Sequence, residues 1–157
     1  MTERKTPKEK STERPGPSPR SRYLHFSKIQ TRWNDNDVYG HINNVVYYSY
    51  FDSAVNLFLI EENALDIATS NIIGLVAETK CNFFAPSAYP EELIAGLRTT
   101  KIGETSVRYE IGIFGSQDET SRADGHFIHV YVDRDTNRPT ALPEALRKAV
   151  EKIQQSV

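Results

Sequence analysis

The sequence predicts an α+β domain in which a mostly antiparallel sheet curves around one long helix. Two observations carry that reading. Between Asn44 and Ile60 the polar residues Ser49, Asp52, Ser53 and Asn56 fall at i, i+3, i+4 and i+7, one narrow stripe on an otherwise apolar helix. Downstream, apolar and polar residues alternate with period two over several runs, the mark of strands with one buried face. Strands gathered after a single buried helix fit a sheet packed on that helix better than alternating β-α-β units.

The elements follow in chain order. Tyr23 to Trp33 reads as a loose first strand. The helix from Asn44 carries Tyr47, Phe51, Val55 and Phe58 among apolar residues covering most of its circumference, so it must be wrapped. Leu75, Ala77, Cys81 and Phe83 alternate with Glu78, Lys80 and Asn82. Leu93 to Ile102 is a further strand, closed by the turn signal Gly103-Glu104. Val107, Tyr109, Ile111 and Ile113 alternate with Ser106, Arg108 and Glu110, the cleanest strand of the chain. Ala123 to Val132 sets Phe127, His129 and Tyr131 on one face and Ile128, Val130 and Val132 on the other. Pro143 opens a last helix whose Leu142, Leu146, Ala149, Val150 and Ile153 share a face.

Composition narrows the class. The 157 residues suit one domain, and 19 basic against 21 acidic residues favour neither nucleic acid nor an anionic membrane as partner. The lone Cys81 excludes an internal disulfide and a cysteine metal cluster. No run reaches the roughly 18 to 20 apolar residues of a spanning helix, and a cytoplasmic setting is the expectation. From Thr2 to Ser21 no aliphatic or aromatic side chain occurs, and Pro7, Pro15, Pro17 and Pro19 stand among charged and small residues. Residues 1–21 are therefore expected to be a disordered tail, with the folded domain at 22–157.

The chemistry concentrates in "WNDNDVYGHINN", Trp33 to Asn44, at the mouth of the long helix. Asx residues before a helix are commonly caps and turns, and composition alone favours that reading for Asp37. A helix N-terminus also offers free N–H groups and a positive dipole end, which suit an oxyanion. His126 and His129 fall on opposite strand faces, so no shared metal site is expected. Neither a serine nucleophile elbow nor a phosphate-binding glycine loop is present.

"TRWNDNDVYGHINNVVYYSYFDSAV" resembles the signature of hotdog-fold acyl-CoA thioesterases of the 4-hydroxybenzoyl-CoA thioesterase-like family. Arg32, Trp33, Asp35, Asp37, Gly40, His41, Asn43, Asn44 and Tyr47 fill its positions, and Asp133 to Thr136, Arg138-Pro139 and Leu142-Pro143 are similar to its closing segment. The resemblance implies a hotdog fold and hydrolysis of an acyl-CoA to free acid and CoA. Asp37 would be the catalytic carboxylate, as general base or nucleophile, and the backbone N–H of Asn44 the oxyanion donor. Gly40, His41, Asn43 and Tyr47 would shape the substrate site, with Asp35 a structural neighbour. It implies no metal and no cofactor apart from CoA within the substrate. It also implies a homodimer, or dimer of dimers, joined at sheet edges. Some relatives carry a basic pair at the turn that here reads Gly103-Glu104. Without it, Arg98, Lys101 and Arg134 are the candidates for the CoA phosphates, and acyl carrier protein remains an alternative carrier. A non-catalytic acyl-CoA binder is the alternative function on the same scaffold.

Overall fold

The computed structural model of the chain describes residues 15–155. Five strands, β1 (His25–Gln30), β2 (Ile72–Phe83), β3 (Glu92–Ile102), β4 (Ser106–Gly115) and β5 (Ala123–Asp133), form one sheet in the order β1-β3-β4-β5-β2. Every neighbouring pair is antiparallel. The long helix α1 (Asn44–Glu61) packs on the concave face, and α2 (Glu144–Lys152) lies beside β3. No helix among the described residues is long and apolar enough to cross a membrane.

Period two in the sequence becomes register in the sheet. Tyr109 faces Phe127 and Ile111 faces Leu97 across β4, so their side chains share the face that receives Phe51, Val55, Phe58 and Leu59 of α1, all buried. The helix is wrapped less completely than its composition predicts. One face is buried by the sheet, while Val45, Leu57 and Ile60 stay exposed. A single five-stranded sheet can cover only one side of a cylinder, and the rest of the apolar stripe is left uncovered.

The first strand is shorter than its sequence suggests. It ends at Gln30, and Trp33–Asp35 form a 3-10 turn stapled by Asp35. The expected boundary of the tail also shifts. Residues 1–14 lie outside the described residues, but the chain from Ser18 onward is packed on the domain. Ser18 is fully buried and its hydroxyl bonds Asp124, Pro19 bridges Thr120, and Arg20 to Arg22 form a 3-10 turn with Arg20 lying over the Phe114 ring. The anchor is Tyr23. It rests on Gly96 and Gly112, opposed residues of β3 and β4, where a Cβ would stand 2.8 and 2.6 Å from the Tyr23 side chain. Two glycines in register make a flat seat for one ring, and that seat pulls in the residues before it.

β2 and β1 are the free edges of the sheet. β2 is long and poorly covered: residues 75–80 are all exposed, Leu75 and Val76 among them.

Candidate functional site

Asp35 organises the loop before α1. Its buried carboxylate accepts hydrogen bonds from the Arg32 backbone N–H at 2.9 Å, from Arg32 Nε at 3.1 Å and from the Tyr50 hydroxyl at 2.7 Å. Its backbone carbonyl accepts from the Asn43 N–H at 2.9 Å. Burial acts to raise the Asp35 pKa, but the Tyr50 and Arg32 hydrogen bonds outweigh it and hold the group below its ordinary value. Burial, reinforced by the Asp35 charge, pushes the Tyr50 phenol up. Asp35 thus ties the loop to the second turn of the helix.

Asp37 sits one turn further on and is bound more lightly. Its Oδ1 accepts from the Tyr39 N–H at 2.8 Å, and its N–H donates to the His41 carbonyl at 2.9 Å. Gly40 makes this return possible, with φ at +79°, in the left-handed region that side chains disfavour. The second carboxylate oxygen takes no hydrogen bond from the described residues. Half-buried and half-engaged, Asp37 is an Asx-turn residue with one oxygen to spare.

Asn43 is the N-cap of α1, its Oδ1 accepting from the Val45 N–H at 3.1 Å. Its carbonyl accepts from the Val46 N–H at 2.9 Å. Between these, the exposed Asn44 N–H donates to no described residue, so the positive end of the helix presents one free donor. Tyr47 is buried one turn along, its ring edge-on to Phe83 at 5.2 Å, and burial raises its pKa.

The six sequence-derived residues divide between two neighbouring clefts. Asp37, Gly40 and Asn43 line an open cleft of about 780 Å³ with the exposed Trp33, Val38 and Tyr39. His41, Asn44 and Tyr47 line a second, of about 290 Å³, against Phe83 to Pro86. The short bridge between Asn36 and Ile42 separates them, and the Ile42 N–H, donating to the Ser87 carbonyl at 2.8 Å, fixes it. The wall supplied by residues 83–91 escaped the reading of the sequence. There Arg122 joins Glu91, Asp118 and Ser87, and Asn36 Oδ1 accepts from the Tyr89 N–H. The Pro-punctuated "FFAPSAYP" was the only signal for it.

Of the candidates for a CoA phosphate, Arg98 is withdrawn. It is buried and paired with Glu110 at 2.7 Å on the face of the sheet away from α1. Arg134 holds the Ser70 and Ile67 carbonyls, and Lys101 is exposed. Cys81 faces the helix side of β2, and burial pushes its thiol up to about 12. His126 pairs with Glu78 at 2.7 Å on the outer face, while His129 is buried on the inner one.

Comparison with known proteins adds a family. Residues 31–150 match the model of the Thioesterase-like superfamily. The PA5185 protein of Pseudomonas aeruginosa superposes with a TM-score of 0.88 at 46% identity, over 90% of this chain and 99% of its own. Slr0204, a 1,4-dihydroxy-2-naphthoyl-CoA thioesterase from Synechocystis, superposes with a TM-score of 0.73 at 18% identity, over 80% of this chain and 93% of its own. YsmA of Bacillus subtilis is 25% identical over 85 residues, 54% of this chain, and the match spans only 57% of that relative's length.

Proposed function

The chain belongs to the thioesterase-like superfamily and has its hotdog fold, and from that premise we propose that it hydrolyses an acyl-CoA to free acid and CoA, with Asp37 as general base or nucleophile. The observation that supports the proposal is that two unfilled groups stand in neighbouring clefts at the start of α1. Asp37 keeps a carboxylate oxygen free, and Asn44 keeps a backbone N–H free. Thioester hydrolysis needs both: a base or nucleophile beside the carbonyl carbon, and a donor for the oxygen that becomes negative. Asp35, which has the same chemistry, is saturated by three hydrogen bonds and serves as the clamp. Gly40, His41, Asn43 and Tyr47 shape the approach.

CoA is the carrier that the naphthoyl-CoA thioesterase Slr0204 suggests, and a cytoplasmic setting suits it. The division of Asp37 and Asn44 between two clefts, and the uncovered side of α1, both fit a site completed by a second copy of the chain. A homodimer joined along β2, or a dimer of two such dimers, would complete it.

Thiol release from a panel of acyl-CoA and acyl-carrier-protein thioesters tests the proposal. Hydrolysis of at least one acyl-CoA by the wild type, lost in folded Asp37→Asn, is the expected result. A panel without turnover, or full turnover by Asp37→Asn, overturns it.

A further inference from the structure

Residues 84–91 run between β2 and β3, outside the sheet, and hold the loop that carries Asp37. The Ser87 carbonyl accepts from the Ile42 N–H at 2.8 Å, and the Tyr89 N–H donates to Asn36 Oδ1 at 3.0 Å. Asp37 lies between those two attachment points. The same segment walls the cleft of Asn44 and Tyr47. Where the two clefts stand relative to each other therefore depends on what holds this wall.

Arg122, the residue before β5, holds it. Its carbonyl accepts from the Phe84 and Ala85 N–H groups at 2.8 and 3.1 Å, and its own N–H donates to the Ile113 carbonyl of β4 at 2.7 Å. The side chain continues the tie. Nη1 donates to Ser87 Oγ at 3.1 Å and to the two Glu91 oxygens at 2.9 and 3.0 Å, while Nε donates to Asp118 at 2.7 Å. Gly115, the last residue of β4, leaves the notch in which the fork lies. A Cβ there would collide with Arg122 Nη2 and stand 2.6 Å from Asp118 Oδ2. Ser87 is 2% exposed, and its hydroxyl also engages the Tyr47 phenol. The Glu91 carbonyl accepts from the Thr31 hydroxyl, just ahead of the Asp35 clamp.

Asp118 alone would be enough to close the turn between β4 and β5. The bonds to Ser87 and Glu91 reach out of that turn to the wall. A planar guanidinium with fixed donor directions turns three partners into fixed distances, which an ammonium on a flexible stem cannot do. Arg122 lines neither cleft, so its influence passes through Ser87. Resting on the thioesterase reading, we infer that Arg122 is a positioning residue for the reaction: it fixes Ser87, and through Ser87 the place of the Asp37 loop against the Asn44 mouth of α1.

The test uses Arg122→Lys, Arg122→Ala and Ser87→Ala on an acyl-CoA that the wild type turns over. In folded Arg122→Lys, kcat should fall by about 10- to 100-fold while KM moves by less than about threefold, as expected when reacting groups are misplaced. Ser87→Ala deletes one hydroxyl from an otherwise intact seat and carries the same test if Arg122→Lys does not fold. It should cost about 3- to 10-fold in kcat. The two losses should not add in the double variant, since both cut one path. Millimolar guanidinium should return part of kcat to Arg122→Ala, and methylammonium should not. Hydrogen exchange reads the tie without turnover: the Asp37 and Ile42 amides should lose protection in Arg122→Lys while those of β4 keep theirs. A chain inactive on every thioester that still shows this selective loss counts against the thioesterase reading alone. Protection unchanged or lost uniformly, KM raised at unchanged kcat, a lowered melt with kcat intact, additive losses or no guanidinium rescue overturns the inference.

Discussion

Two carboxylates two residues apart have been given opposite environments, and that contrast fixes what each should do when changed. Asp37→Asn preserves shape and the Tyr39 hydrogen bond but removes the carboxylate proposed as base or nucleophile. Its kcat on the best acyl-CoA should fall by about 10² to 10⁴ with the melting temperature nearly unchanged. Asp35→Asn should do the reverse, keeping most of kcat while losing about 1–3 kcal/mol of stability, as a buried hydrogen-bonding group loses matched partners. The pH dependence follows from the depressed Asp35 pKa. A carboxylate whose folded value lies below its unfolded value of about 3.9 contributes stability above that pH and loses it as pH falls through the folded value. Denaturant melts between pH 5 and 2 should therefore show a steeper acid loss in the wild type than in Asp35→Asn. Parallel curves would show that Asp35 carries no net charge-dependent stability.

At the scale of elements, the strap before β1 carries a prediction that the sequence could not supply. Tyr23→Ala uncovers Gly96 and Gly112 and should cost about 3 kcal/mol by denaturant unfolding, within the range for buried aromatic truncation. Removing residues 1–22 should lower the melting temperature by several degrees, through the lost Ser18, Arg20 and Arg22 contacts. An unchanged melt would mean that the strap is ornamental. The strands of the core were legible because each has one wet face and one dry face, so Val107 to Ile113 writes its own orientation. The strap was not, because "PGPSPRS" has no apolar periodicity. What seats it is a glycine pair brought into register by β3 and β4, a tertiary fact. The site divides the same way. Caps, turns and the Gly40 reversal are local and were readable in Trp33 to Asn44, whereas the wall at 83–91 and the separation into two clefts depend on where distant chain segments arrive.

For the whole molecule, two apolar surfaces are left uncovered. β2 offers an exposed edge of six consecutive residues, and α1 leaves Val45, Leu57 and Ile60 in water. An open edge that long, with aliphatic Leu75 and Val76 on it, invites pairing with another strand, and a second copy supplies the matching edge. Light scattering at micromolar concentration should therefore give the mass of two or four chains. Leu75 is opposed to Val130 on the outer face of this edge strand and is exposed. Leu75→Lys adds a like charge from each copy near the shared edge, and should shift the mass toward one chain while leaving the fold intact by circular dichroism. If the site is shared between copies, acyl-CoA turnover should fall by about tenfold or more with the mass, and should recover as protein concentration rises. A single-chain mass for the wild type with full turnover would contradict the shared site, and would return the exposed stripe of α1 to the status of ordinary surface.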